Sequence, residues 1–182
     1  GYHLESLLVD GVSVTPTLTY TFENVNANHT ILPTFALNRY RIVSSANFGG
    51  SVSPMLTTVP YGGNTTITIS PRNCYHLDSL FVDGVSVELS GAYTFSDISE
   101  DHTLRAVFAI SSYTVVAEDA ENGFISPSGS TSVTCGESIS YDISPNEGYH
   151  LDSLFVDGSS VVPTSTYTFS NVVENHTIRP VF

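Results

Sequence analysis

The chain has 182 residues, of which 41% are hydrophobic and 13% charged, and five cations against 18 acids leave a formal net charge of −13. That apolar content supplies a buried core, but the arginines at 39, 41, 72, 105 and 179 are few and scattered, so there is no basic face to neutralise phosphates and nucleic acid is excluded as a partner. No run approaches the ~18 consecutive apolar residues of a membrane span, and no charged segment followed by an apolar core and cleavage site opens the sequence.

The first element, Tyr2 to Gly11, reads YHLESLLVDG. It returns as YHLDSLFVDG from Tyr75 to Gly84 and again, unchanged, from Tyr149 to Gly158. The same offsets carry His29 onto His102 and His176, so whole modules are duplicated. The copies divide the chain into the C-terminal half of a module at 1–38 and full modules at 39–110 and 111–182. Entry in mid-module is the expectation for a piece of something longer. Ala109, Ile110, Ser111 and Ser112 are all that separate the last strand of one full module from the first strand of the next, which predicts stiff coupling.

Within the third module, Tyr113, Val115 and Ala117 alternate with polar or exposed positions. Glu121-Asn122-Gly123 then predicts a hairpin turn before Phe124 and Ile125. Pro127 to Gly129 breaks the chain and Gly136 turns it again, after which Ile139, Tyr141 and Ile143 alternate strictly up to Ser144-Pro145. The run from Tyr149 to Val156 ends in Asp157-Gly158, a pair that favours a two-residue turn, and Val161-Val162 returns along it. Tyr167 and Phe169 face one way on the next strand, as do Ile178, Pro180 and Phe182 on the last. Leu104, Ala106 and Phe108, and Ile31, Pro33 and Phe35, hold the same places. Opposite positions drift among Leu32, Arg105 and Arg179, as on a solvent face. No window shows helical spacing over three turns. The fold expected is all-β, with tandem small sandwich modules of the immunoglobulin-like kind, six or seven short strands each, arranged end to end.

The Tyr-Thr-Val opening at Tyr113, the Asn-Gly and Ser-Pro pairs, the central glycine turn, GYHLDSLFVDG, TYTFSNV and ENHTIRPVF together resemble the divergent internalin-type B-repeat family. The resemblance covers the whole chain. It implies an extracellular or cell-surface role as stalk, adhesin or fibre element, and it brings no catalytic residues. The second module departs from the pattern at Cys74, where the glycine of GYHL is lost, and at Asp101, where the asparagine of NHT is lost.

Candidate sites are sparse. His76, Asp78 and Ser79, repeated as His150, Asp152 and Ser153, have the ingredients of a hydrolytic triad, but on a strand the serine points away from the other two. With no nucleophile elbow in the sequence, no enzyme is expected. The six histidines fall two per copy (His3 and His29, His76 and His102, His150 and His176), fewer than a metal site needs, so they are read as local hydrogen bonders and no metal or other cofactor is assigned. The acidic cluster Glu118, Asp119 and Glu121 offers oxygen ligands without the spacing of a calcium loop. Asn28, Asn64 and Asn175 begin glycosylation sequons. Tyr20, Tyr93 and Tyr167 alternate with core phenylalanines and are read as packing residues.

Cys74 and Cys135 sit at non-equivalent points of different modules, at the positions of Gly148 and Tyr61. A disulfide between modules or subunits and a pair of unpaired thiols both stay open, and the lack of a partner within either module favours the thiols. Neither lysine nor glutamine occurs, so internal isopeptide, thioester and ester cross-links are excluded. The expected function is a structural repeat segment, a stiff spacer whose open first half module permits head-to-tail self-association. The alternative is a multivalent adhesin that binds surface glycans or proteins.

Overall fold

The computed structural model describes residues 1–182 and contains strands and no helix. The first 38 residues hold β1 (Tyr2–Val9), β2 (Val12–Val14) and β3 (Ile31–Leu37), an antiparallel sheet in the order β2-β1-β3. The second copy contributes β4 (Arg39–Ala46), β5 (Gly50–Ser53), β6 (Leu56–Pro60), β7 (Thr65–Pro71), β8 (Tyr75–Val82), β9 (Val85–Val87), β10 (Ala92–Phe95) and β11 (His102–Ile110), arranged as β6-β4-β11-β8-β9 and β10-β7-β5. The third repeats this with β12 (Ser112–Ala117), β13 (Gly123–Ser126), β14 (Gly129–Thr134), β15 (Ile139–Pro145), β16 (Ser153–Val156), β17 (Ser159–Val161), β18 (Thr166–Phe169) and β19 (His176–Val181), arranged as β14-β12-β19-β16-β17 and β13-β15-β18. The first and last strands of each full copy pair in parallel, β4 with β11 and β12 with β19.

Each full copy is thus a sandwich of a five-stranded and a three-stranded sheet. In the third copy Val115, Ala117, Val133, Leu154, Val156 and Ile178 from one sheet meet Ile125, Tyr141, Ile143 and Phe169 from the other in a single core. Eight strands replace the expected six or seven because β14 was not legible: Val133 is its only large apolar side chain, so its sequence shows no apolar alternation. The hairpin expected at Glu121 to Gly123 is also corrected. β12 pairs with β14 and β19, whereas β13 pairs with β15, so this turn carries the chain from one sheet to the other.

By packing, the chain forms two compact units. One comprises Gly1–Ser70 with Leu77–Val107, the other Pro71–His76 with Phe108–Phe182. In the first 38 residues no second sheet covers the apolar face. Ile31 and Phe35 are 49% and 61% exposed, while their equivalents Leu104 and Phe108 are 1% and 3% exposed. β16 begins later than β1 and β8. In β1 the leading residues pair with positions beyond the equivalents of Val181 and Phe182, Tyr2 with Leu37 and His3 with Ala36.

Two core positions change polarity between copies. Ser44 stands where the third copy has Ala117, and its buried hydroxyl donates to the Pro54 carbonyl at 2.7 Å. Tyr141 replaces Ile67; its hydroxyl lies near Thr131 but makes no hydrogen bond of good geometry, and burial pushes its pKa up. Tyr141→Phe removes an orphaned polar atom without opening a cavity, so denaturant unfolding should show unchanged stability or a gain of up to about 1 kcal/mol. A loss of that size would reveal a partner for the hydroxyl.

Candidate functional site

The residues repeated most strictly converge on the tight turns that follow β1, β8 and β16. Asp10, Asp83 and Asp157 take φ of 51°, 50° and 49°, and the glycines after them take 77°, 79° and 76°. Two consecutive positive φ values define the hairpin turn whose twist matches its strands, and the second of them calls for glycine.

Each aspartate is gripped from two sides. Its Oδ1 accepts the backbone N–H of Thr30, Thr103 or Thr177 at 2.7, 2.7 and 2.8 Å. Its Oδ2 lies 2.7, 2.7 and 2.8 Å from Nδ1 of His29, His102 or His176. Its own N–H donates to the same threonine carbonyl at 3.0 Å in all three copies. The carboxylate pKa is lowered in each. At Asp10 the histidine hydrogen bond leads; at Asp83 and Asp157 burial opposes the charge and is outweighed by the hydrogen bonds from histidine and the threonine N–H. An ionised carboxylate only accepts, so Nδ1 carries the proton. Behind each imidazole lies a phenylalanine ring, Phe22, Phe95 or Phe169, with centroids 4.8, 5.0 and 4.8 Å apart.

The residue before each histidine in the full copies ties down the first strand. Asp101 Oδ1 accepts the Arg41 N–H and Asn175 Oδ1 the Thr114 N–H, both at 2.8 Å. The tripeptide therefore fastens two strand ends at once, one through its first residue and the other through the histidine and threonine.

Since the folded-state pKa of Asp157 lies below the 3.8 of an unperturbed aspartate, its contribution is complete above about pH 4 and is lost as pH falls through the lowered value. Asparagine tolerates positive φ and keeps the size of the side chain. Asp157→Asn should therefore cost about 1 kcal/mol at pH 7, with the difference from the parent shrinking as pH falls below about 4, measured by urea unfolding from pH 7 to pH 2. A difference that persists undiminished at pH 2 would assign the loss to something other than the carboxylate charge.

A second constellation recurs where one copy passes into the next. The Gly1 carbonyl accepts the Asn38 N–H at 2.8 Å, the Asn38 carbonyl accepts the Tyr61 N–H at 2.9 Å, and His3 Nδ1 lies 2.8 Å from Asn38 Oδ1. In the other unit Cys74, Ser111 and Cys135 repeat these bonds at 2.8 and 2.9 Å, and His76 Nδ1 lies 3.2 Å from Ser111 Oγ. There Cys74 and Cys135 form a disulfide across 61 residues, with Cα atoms 5.4 Å apart. The preference for unpaired thiols is thereby corrected. Each cysteine lacks a partner in its own sequence copy, but Pro71–His76 packs within the unit that contains Cys135.

The hydrolytic ingredients are not brought together: His76 meets Ser111, and Ser153 bonds its neighbour Asp152. The two histidines of a copy go to different partners, His3 to Asn38 and His29 to Asp10. No three of His, Cys, Asp or Glu converge as metal ligands, and Glu118 instead pairs with Arg179 at 3.5 Å. Asn28, Asn64 and Asn175 are exposed; Asn64 and Asn175 use Oδ1 as an acceptor, so these bonds leave their amide nitrogens unused. Tyr20, Tyr93 and Tyr167 pack edge-on against Phe22, Phe95 and Phe169 at 5.0, 4.9 and 5.0 Å. On the outer face of the larger sheet the drift is paired: Leu8 lies opposite Leu32, while Arg105 and Arg179 stack over Phe81 and Phe155 at 4.3 and 4.5 Å.

These features define a tandem β-sandwich repeat whose recurring polar residues fasten its own turns and junctions. The chain belongs to the divergent InlB B-repeat family, whose model matches residues 40–112 and 113–182. It is thus a tandem repeat segment of a bacterial surface-type protein. Among solved structures it is similar to the TIE protein of Bacillus anthracis, with 10% identity, a TM-score of 0.37, 85% of this chain covered and 37% of that one. It is also similar to a tandem segment of titin, with 8% identity, a TM-score of 0.18, 97% of this chain covered and 86% of that one. The chain therefore spans little more than a third of the TIE protein chain. No curated protein matches it.

Proposed function

We propose that the chain is a stiff spacer within an extracellular surface protein, holding other parts of that protein at a set distance. The observation that carries this reading is the junction. Only Asn38 separates β3 from β4, and only Ser111 separates β11 from β12. Both residues are held through N–H and carbonyl alike. A linker restrained in this way favours a stiff array over a swivelling one, and repetition multiplies reach without requiring any site to be built twice.

Spin labels at the exposed positions Ser86 and Ser160 test the proposal. The parent should give a narrow distance distribution, and a variant with a short Gly-Ser insertion after Ser111 a broad one. Equal breadth in the two proteins would sink the spacer reading.

A further inference from the structure

At the two junctions the same backbone bonds recur to within 0.1 Å, yet both side chains of one pair differ: Gly1 with Tyr61 in one unit, Cys74 with Cys135 in the other. These are equivalent positions, and each pair is matched in a different way. A Cβ placed on Gly1 would lie 2.6 Å from Cδ1 of Tyr61 and 2.9 Å from two further ring atoms, so the ring occupies the space that a side chain at the first position needs. The first position also prefers glycine by conformation. Gly148 holds φ of 86° and Cys74 holds 68°, a region that costs a non-glycine residue strain. Cysteine in that region is offset by a gain available only when the second position is cysteine too.

We propose that these two positions form one matched locus that joins consecutive repeats in either of two interchangeable ways, packed when glycine meets an aromatic ring and covalent when cysteine meets cysteine. Mixed pairs are disfavoured, because a side chain at the first position must displace the Tyr61 ring and glycine against cysteine forms no bond. The locus thus sets which junctions of an array respond to reductant, and it does so whether or not the repeats act as spacers.

A double-mutant cycle on the whole chain tests this, using Cys74→Gly, Cys135→Tyr and the two together, with thermal unfolding and amide hydrogen exchange in oxidant and in reductant. Each single variant should exchange the Ser111 amide roughly tenfold faster than the oxidised parent. The double variant should recover most of that protection and should be indifferent to reductant, to which the parent responds. A double variant no better protected than the single variants would overturn the proposal. The reverse exchange, Gly1→Cys with Tyr61→Cys, guards against a double variant that fails to fold. It should form a second disulfide, read as the loss of both added free thiols by intact mass; thiols that stay free under oxidant would overturn the proposal as well.

Discussion

Replacing Phe169 by alanine will lower the stability of the Pro71–His76 and Phe108–Phe182 unit by about 3–5 kcal/mol, the cost of removing a buried aromatic ring and leaving its cavity. The ring is 7% exposed and lies against Tyr141, Tyr167 and His176, so its loss opens the core on one side and removes the wall behind the Asp157 clasp on the other. Urea unfolding followed by circular dichroism gives the magnitude. Phe95→Ala should cost the other unit a similar amount, because Phe95 is as deeply buried and stacks on His102 in the same way. Phe22→Ala should cost less, since that ring is only half-buried. If all three losses were equal, cavity formation would not be the cause.

Reducing the Cys74–Cys135 bond will cost about 2–4 kcal/mol, because the closed loop of 61 residues restricts the unfolded chain. Both cysteines belong to one compact unit, so only that unit should lose stability. Unfolding with and without reductant, read by mass-resolved hydrogen exchange, separates the two units. The amides of Ile42 and Leu104 should keep their protection, while those of Ser111 and Cys135 lose it. Equal loss in both units would refute a local role for the bond.

The fold was legible wherever one residue decides its own environment. Alternation at Ile139, Tyr141 and Ile143 and the Asp-Gly turns are local signals, and both appear as read. The core face at Leu104, Ala106 and Phe108 was legible because burial recurs at every second position. What escaped was pairing between distant residues. The turn at Asn122 has hairpin residues, yet β12 is claimed by β14 and β19, and nothing local to the turn records that competition. The disulfide was left as the less favoured of two open readings for the same reason, since its partners lie in different copies. The aspartate clasp did leave a trace. Aspartate of the turn and histidine of the tripeptide stand 19 residues apart in all three copies, a spacing that points to contact when the histidines are compared with the turns rather than with one another.

The parallel pairing of first and last strands also bears on how a repeat carries load. With β12 entering and β19 leaving side by side in the same direction, tension applied through the chain slides one strand along the other. Every bond of that ladder is then strained together, instead of peeling open one at a time as in a hairpin pulled from its open end. The same shear geometry holds for β4 and β11, whose ladder runs through five consecutive pairs from Ile42 with His102 to Ala46 with Ala106.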